Sequence, residues 1–160
     1  MVRFASLSLA ALLICVTSAA PAQAATEWKL DTAHTGIVFE IGHLGMSRTY
    51  GRFNDIAGDF AFSEDDLAGS SFNFTVQSKS VDTGHEKRDK HLRSPDFFNV
   101  RQYPEITFKT TKIEAGDQAN TFKLTGDLTL HGTTRTITVD LVKLGEGKDP
   151  WGNERIGFET

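Results

Sequence analysis

Four side chains that could carry acid–base chemistry lie close together in the sequence: Asp82, His85, Asp89 and His91. Carboxylate and imidazole groups are the usual general acids and bases, and they need to be neighbours only in space. The segment beginning His85-Glu86 also resembles the zinc-peptidase pattern, but the residue four places after His85 is Asp89 rather than a second histidine. His85 and His91 are six residues apart, so a helix would place them on different faces. The residues therefore predict no metal site, and a hydrolase built on these four groups is the least favoured alternative.

A simpler interpretation of the same segment is a surface helix. Between His85 and Arg93 only Leu92 is apolar, and Thr83 followed by Glu86 has the spacing of a capping box. Side chains four residues apart face each other on a helix, and opposite charges at that spacing attract. The pairs with this spacing are Glu86 with Lys90 and Asp89 with Arg93. We therefore expect a charged, solvent-exposed helix rather than a catalytic cleft.

The helical insertion is predicted to cover about residues 83–98. Ser94 is placed to cap a second helical turn with Pro95 at its first position, and this turn would return Phe97 and Phe98 towards the main body of the domain. The chain contains no nucleophile elbow, phosphate-binding loop or dinucleotide fingerprint. We therefore expect a protein that is not an enzyme and that uses no cofactor.

Apolar and polar residues alternate along most of the chain, which predicts β-strands. These strands must therefore position the helical insertion. Each strand then has one apolar face, which is typical of an antiparallel sheet with its other face in water. The segment Leu130-His131-Gly132-Thr133 predicts a hairpin turn, and 145–150 predicts a loop before another strand. The fold class is therefore all-β, and the long strands expected after residue 120 favour a closed or nearly closed barrel over a sandwich.

The composition predicts an interior with few hydrogen bonds. Phenylalanine supplies twelve of the sixteen aromatic residues, and its ring adds apolar area without a polar group that needs a partner. The formal net charge of −4 provides no basic surface for nucleic acid. Periodicity alone leaves two interpretations open, because alternating Phe residues suit both a solid core and the wall of a hollow interior. A solid core would suit a structural or stress-response interaction domain.

Residues 1–24 have the pattern of a secretory signal peptide. A short positive start is followed by an apolar stretch, and Ala22-Gln23-Ala24 supplies the small residues of a cleavage site. Cleavage there would remove Cys15, the one cysteine of the chain, and leave a domain over residues 25–160 without thiols or disulfides. We therefore expect an exported, periplasmic bacterial protein.

Several spaced groups of residues from position 28 onwards resemble the YceI-like family. They stand in the order found in that family, and the resemblance extends to the last residue. The groups are His43-Leu44-Gly45, Ser80-Val81-Asp82-Thr83-Gly84, Arg88-Asp89-Lys90-His91-Leu92-Arg93-Ser94, Asp96-Phe97-Phe98, Tyr103-Pro104, Thr107-Phe108, residues 126–133 and Asp149-Pro150-Trp151-Gly152.

This resemblance implies a lipocalin-like antiparallel barrel whose lumen holds a polyisoprenoid, an isoprenoid quinone or another long-chain lipid. It implies a carrier that releases its ligand to a membrane or to a membrane enzyme, and it leaves open whether two barrels pair as a homodimer. Family members continue beyond the equivalent of Phe158, so the sequence is expected to lack the closing strands of the barrel.

The resemblance also assigns roles to residues. It implies that four residues of the charged segment shape the loop and helix beside the barrel and perform no reaction. These residues are Arg88, Asp89, His91 and Leu92. The ligand contacts are expected on the apolar face of the strands, as alternation places them there. These expected lumen residues are Phe39, Ile41, Phe60, Phe62, Phe72, Phe74, Val76, Phe108, Leu128 and Leu130.

Overall fold

The computed structural model describes residues 24–160, so residues 1–23 of the expected signal peptide lie outside the described residues. The strands are β1 (Thr26–Lys29), β2 (Ile37–His43), β3 (Ser47–Phe53), β4 (Ile56–Phe62), β5 (Ser71–Gln77), β6 (Val81–Asp82), β7 (Glu105–Ala115), β8 (Thr121–Leu130), β9 (Thr133–Lys148) and β10 (Glu154–Glu159). A short 3-10 turn covers Ser78–Ser80, and the helix α1 covers Glu86–Leu92. The all-β fold class is confirmed. No helix within the described part of the chain has the length and apolar content that crossing a membrane requires.

The strands form two antiparallel sheets. The larger sheet has seven strands in the order β1-β4-β5-β7-β8-β9-β10, and the smaller has three in the order β2-β3-β6. Tight turns join several neighbours: His131 and Gly132 between β8 and β9 have φ angles of 51° and 72°. Two left-handed residues in succession are what a type I′ hairpin turn requires, so the hairpin predicted at Leu130–Thr133 is confirmed.

The larger sheet curls into a half-barrel, and its first and last strands approach each other at one end. A guanidinium nitrogen of Arg155 on β10 lies 3.3 Å from the carboxylate of Asp31, just after β1. The Lys143 ammonium on β9 lies 2.7 Å from the carboxylate of Glu64, just after β4. The barrel-type fold is thus confirmed, and within residues 24–160 the strands β1 and β10 each pair with one neighbour only.

Two apolar clusters form the core. The first cluster lies on one face of the larger sheet, and its buried members are Phe62, Phe72, Ile113, Phe122, Leu124 and Leu141. The second cluster joins the two sheets: Ile56 and Val76 of the larger sheet pack with Phe53 and Val81 of the smaller one. Phe98 closes this second cluster by an edge-to-face contact with Phe53, at 5.5 Å between ring centroids.

The structure confirms the charged helix but corrects how it begins. The N-cap is His85 rather than Thr83, because the His85 ring nitrogen Nδ1 accepts a hydrogen bond from the Arg88 backbone N–H. Residues 95–98 form turns instead of a second helix, and of the two predicted apolar contacts only Phe98 reaches the core, while Phe97 is 50% exposed.

The predicted ion pairs within the helix are absent from the described residues, because their side chains have other partners or none. Asp89 accepts hydrogen bonds from Thr83, and Arg93 donates to backbone carbonyls of Lys79 and Val81. The predicted loop at 145–150 is also wrong for its first four residues, because β9 continues to Lys148 in order to pair with β10.

Candidate functional site

Cross-strand pairing places five residues in one row across the larger sheet. Gly58 on β4 pairs with Phe74 on β5, which pairs in turn with Phe108 on β7. Phe108 pairs with Leu128 on β8, and Leu128 pairs with Arg135 on β9. Residues directly opposite each other point to the same face of a sheet. Gly58, Phe74, Phe108, Leu128 and Arg135 therefore form an inner row on the face that carries the first core cluster.

Two glycines allow the aromatic rings of the inner row to lie against the sheet. A Cβ atom on Gly58 would lie 2.6 Å from Phe74 Cδ1, and one on Gly126 would lie 2.3 Å from Phe108 Cζ. Any larger residue would clash at these distances, and the ring would have to lift away from the backbone. The glycines thus keep both rings low on the inner wall.

A group of phenylalanines, the aromatic floor, fills one end of the interior. Its members are Phe60, Phe62, Phe72, Phe122 and Phe158. Phe158 of the last strand meets Phe62 and Phe72 edge to face, with ring centroids 5.0 Å and 5.1 Å apart. Edge-to-face contacts of this length are favourable beyond the burial of area. Phe72 is 2% exposed and Phe62 is 5% exposed, so protein side chains fill this end.

Along β8 and β9, burial decreases from the aromatic floor towards the β8–β9 turn, whereas Ile56 of β4 and Val76 of β5 are buried in the second cluster. Along the inner face of β8, Leu124 is 3% exposed, Leu128 is half-buried and Leu130 is 38% exposed. Along β9, Leu141 is buried and Arg135 is exposed. A strand rises about 3.3 Å per residue, so the six steps along the chain from Phe122 to Leu128 span roughly 20 Å. The interior therefore has a closed end at the floor and an open mouth at the β8–β9 turn.

The ten expected lumen residues occupy different parts of this interior. Phe60, Phe62 and Phe72 belong to the aromatic floor, and Phe74, Phe108 and Leu128 belong to the inner row. Val76 and Phe39 pack in the second cluster, which joins the two sheets. Ile41 lies on the β2–β3 hairpin and is 58% exposed, whereas Leu130 lies at the mouth. Their contact with a ligand stays a prediction.

Alternation did not identify every residue of the interior. Phe158 reaches the floor only because the sheet curls, and no local pattern indicates a contact between β10 and β4. Trp28 stacks on Phe60 with ring centroids 6.3 Å apart, but β1 has four residues and is too short for its alternation to be recognised. Among the described residues, Trp28 Nε1 is also the one buried side-chain nitrogen or oxygen atom without a hydrogen-bond partner.

The charged segment beside the half-barrel is held by Asp89. This side chain is 6% exposed, and its carboxylate accepts hydrogen bonds from the Thr83 backbone N–H and the Thr83 hydroxyl. The Arg88 guanidinium donates hydrogen bonds to two oxygen atoms of Thr83, the hydroxyl oxygen at 2.7 Å and the backbone carbonyl oxygen at 2.8 Å. Leu92 packs against the second cluster, and His91 pairs with Asp96 at 2.9 Å. These contacts fix a loop.

The four candidate acid–base groups have separate structural partners. The pKa of Asp82 is lowered from its ordinary value because the Gly84 backbone N–H, and then the Asn54 amide, donate hydrogen bonds to its carboxylate. His85 caps the helix, while Asp89 and His91 have the partners described above. Within residues 24–160, no group of three or more His, Cys, Asp or Glu side chains is arranged to hold a metal ion.

Asp149 organises the turn between β9 and β10. Its carboxylate accepts 2.9 Å hydrogen bonds from the backbone N–H groups of Trp151 and Asn153, from the Asn153 amide and from Arg155 Nε. The Asn153 side chain is the largest of several influences that lower the pKa of Asp149 to about 2. Because Arg155 also reaches Asp31, the turn holds the last strand beside the end of the first.

A solvent-open groove of about 580 Å³ lies over β4, β5 and β7. Six of its nine lining residues alternate with the inner row and therefore belong to the opposite face of the sheet. They are Ala57, Asp59, Asn73, Thr75, Thr107 and Lys109. The other three, Gly58, Phe74 and Phe108, belong to the inner row, so polar side chains of the opposite face and inner-row residues line the groove together.

These features define a curled antiparallel barrel-type domain with an apolar, Phe-rich inner face, in which each of the four candidate acid–base side chains has a structural partner. Residues 28–159 match the YceI-like domain, and the chain belongs to the YceI-like family. It is 46% identical over 155 residues to the UPF0312 protein VPA0850 of Vibrio parahaemolyticus, with 94% of this chain and 81% of the relative aligned.

Protein YceI of Escherichia coli O157:H7 is 45% identical over 139 residues, which cover 85% of this chain and 71% of the relative. The crystal structure of the YceI protein of Campylobacter jejuni superposes with a TM-score of 0.64 at 36% identity, over 82% of this chain and 76% of the other. The barrel-type fold is therefore supported by an experimental structure of a relative.

Proposed function

We propose that the protein is a periplasmic carrier that holds a polyisoprenoid, an isoprenoid quinone or a similar long-chain lipid against the inner face of its half-barrel. The observation that carries the proposal is the graded interior, in which the inner row leads from an open mouth to the buried aromatic floor. Membership of the YceI-like family supports the same assignment.

The chemistry of the interior suits a flexible hydrocarbon chain. Removing apolar surface from water contributes about 25 cal/mol per Å², or roughly 0.8 kcal/mol per CH₂ group. An isoprene unit therefore contributes several such increments before the cost of ordering the chain is subtracted. Phe74, Phe108 and Leu128 supply apolar contact without demanding a hydrogen bond, so a ligand can bind by its tail alone.

A role as a carrier rather than an enzyme is part of the proposal. The groups that could catalyse are already engaged: Asp89 is buried in hydrogen bonds to Thr83, and His85 caps the helix. A binding interior with one open end also suits release of the lipid to a membrane or to a membrane enzyme. The alternative function is a structural interaction domain with a solid core. The filled floor favours this alternative, but the inner-face residues nearer the mouth are only half-buried and do not form a solid core.

The experiment compares two neighbouring residues on opposite faces of β8. Leu128→Asn places an amide on the inner row, and Thr129→Asn places the same amide on the outer face. Binding of geranylgeraniol to the purified protein is measured by native mass spectrometry and by titration. We expect the Leu128 variant to bind about tenfold more weakly, since an amide buried without a partner costs about 1–3 kcal/mol.

The Thr129 variant is expected to bind like the unchanged protein. Equal binding by both variants would contradict an inner-face site, and no binding by the unchanged protein would contradict the carrier function. Mass spectrometry of an organic extract of protein purified from its native periplasm then identifies the lipid. Recovery without any long-chain lipid under gentle conditions would count against the proposal.

A further inference from the structure

Arg135 is an exposed cation at the end of an otherwise apolar row. It lies on β9 directly opposite Leu128, and the next inward residues of β9 are Ile137, Val139 and Leu141. Val139 and Leu141 pack in the first core cluster, so the alternation of the strand directs Arg135 to the same face. The mouth of the interior therefore carries the positive charge of Arg135 beside the apolar wall.

Most other arginines of the described residues have a defined structural partner. Arg48 pairs with Glu40, Arg52 with Asp82, and Arg155 with Asp149 and Asp31, while Arg88 and Arg93 donate to the loop around Thr83 and to backbone carbonyls. No carboxylate lies within 4 Å of Arg135, and no side-chain hydrogen bond forms at it, within residues 24–160. Its guanidinium therefore remains available for a ligand.

The gradient of burial sets the direction in which an amphiphile would lie. The floor is buried at Phe72 and Phe122, whereas Leu130 and Arg135 at the mouth are exposed to water. A charged group placed at the floor would lose its hydration, so the polar end of a ligand must stay at the mouth. At the mouth, Arg135 is the neighbour of Leu128 in the inner row. Its guanidinium offers paired N–H donors to an oxyanion of the ligand.

We infer that the ligand is an anionic amphiphile, with its apolar tail along Leu128, Phe108 and Phe74 and a phosphate or carboxylate head bound by Arg135. This inference rests on the proposed function and narrows its ligand class, because a guanidinium binds an oxyanion more strongly than it binds a neutral hydroxyl or carbonyl group. It also assigns Arg135 as the residue that determines specificity for the charged head group, without a covalent or catalytic role.

The test compares geranylgeranyl phosphate with geranylgeraniol, which has the same tail and no charge. We expect the unchanged protein to bind the phosphate about tenfold more tightly, as hydrogen bonds to charged groups contribute about 1.5–3 kcal/mol. Arg135→Gln should reduce the ratio of phosphate affinity to alcohol affinity to about one, and Arg135→Lys should keep part of the preference. The control is Lys109→Gln, which removes a cation from the opposite face and should leave the preference intact.

The outcomes separate this inference from the carrier function. Equal binding of both lipids by the unchanged protein, or a phosphate preference that survives in the Arg135→Gln variant, would overturn the role of Arg135 while the lipid-binding function stands. Failure of both lipids to bind would overturn both. Inorganic phosphate alone should not compete with geranylgeranyl phosphate at equal concentration, and full competition would show a simple anion site instead of an amphiphile site. Replacing the head by a carboxylate on the same tail should retain the preference over the alcohol.

Discussion

The aromatic floor and the β2–β3 hairpin are both rich in apolar residues, but their surroundings are opposite. In the floor, Phe72 is 2% exposed and Phe122 is 6% exposed, with other rings packed on each side. On the hairpin, Leu44 is 75% exposed and Met46 is 80% exposed. Similar sequence composition therefore gives a packed core in one region and a solvent-exposed hairpin tip in the other.

The difference follows from how many strands surround each region. The floor receives side chains from β4, β5, β8 and β10, because the larger sheet curls around it. Within residues 24–160, the hairpin pairs with one further strand, the short β6. Alternation determines which face of a strand is apolar, whereas the curl of the sheet determines whether that face is covered. Stability should therefore depend on the floor far more than on the hairpin tip.

The largest expected effect is the removal of a floor side chain. Phe72→Ala deletes a ring that contacts Phe60, Phe62 and Phe158, and truncations of this kind cost about 3–5 kcal/mol in the free energy of unfolding. Met46→Ala on the hairpin should cost less than about 0.5 kcal/mol, because its side chain is exposed. Urea denaturation measures both, and equal losses would contradict the comparison.

The next effect tests the contact that joins the helix α1 to the loop after β6. Asp89→Asn keeps the shape of the buried side chain but removes the charge that accepts the hydrogen bonds of Thr83. We expect a loss of about 1.5–3 kcal/mol in the free energy of unfolding, as for other hydrogen bonds to charged groups. His91→Asn is the control on the same helix, since His91 is exposed and pairs only with Asp96. A smaller loss for Asp89→Asn than for His91→Asn would refute the assignment.

A third substitution should stabilise the hairpin. Leu44 has a φ of 54°, in the left-handed region that is unfavourable for Leu and is tolerated by Asn. Leu44→Asn places the preferred residue before Gly45 in the turn and should raise the free energy of unfolding by about 1 kcal/mol. Met46→Asn, one position beyond the two left-handed residues, should give no gain. Thermal unfolding distinguishes these outcomes, and a loss for Leu44→Asn would indicate that its side chain has a stabilising contact.

The smallest effect concerns acid stability at the turn that holds β10 beside β1. The pKa of Asp149 is lowered from 3.8 to about 2, so its ionised form is favoured by the fold. The resulting stability is fully present above the unfolded-state pKa and is lost as the pH falls from near 4 through about 2. Asp149→Asn should therefore lower the melting temperature at pH 5 and flatten its dependence on pH in that window. If the melting temperature of the Asp149→Asn variant depends on pH as that of the unchanged protein does, Asp149 is excluded as the source of the acid sensitivity.

Much of the fold follows from local sequence pattern, and the errors have physical causes. Alternation placed Phe60, Phe72 and Phe74 on one face correctly, because strand geometry has a fixed period of two. The capping-box spacing predicts Thr83 as the N-cap of the helix. In the structure the Thr83 hydroxyl donates to Asp89 and accepts from Arg88, so it does not cap the helix, and His85 does so instead. These contacts depend on the folded loop. Gly145 and Gly147 suggested a loop, but pairing with β10 overrides that local preference.

The candidate site was predictable only in part. The inner row could be anticipated from alternation, but its order from Gly58 to Arg135 depends on the registers of four strand pairs. The closed floor depends on Phe158 crossing the interior, and the available charge of Arg135 depends on which carboxylates lie near it. Curl, register and partner choice are long-range properties, and a local pattern does not contain them.

The most direct test of the account maps the lipid onto the protein by NMR. Methyl-labelled protein is titrated with geranylgeraniol, and shifts are compared between inner-face methyl groups of Leu124, Leu128 and Val139 and exposed hairpin methyl groups of Val38 and Leu44. We predict saturable shifts confined to the inner-face group, largest at Leu128. Shifts that fall mainly on Val38 and Leu44, with the inner-face signals unchanged, would contradict a lipid-binding interior.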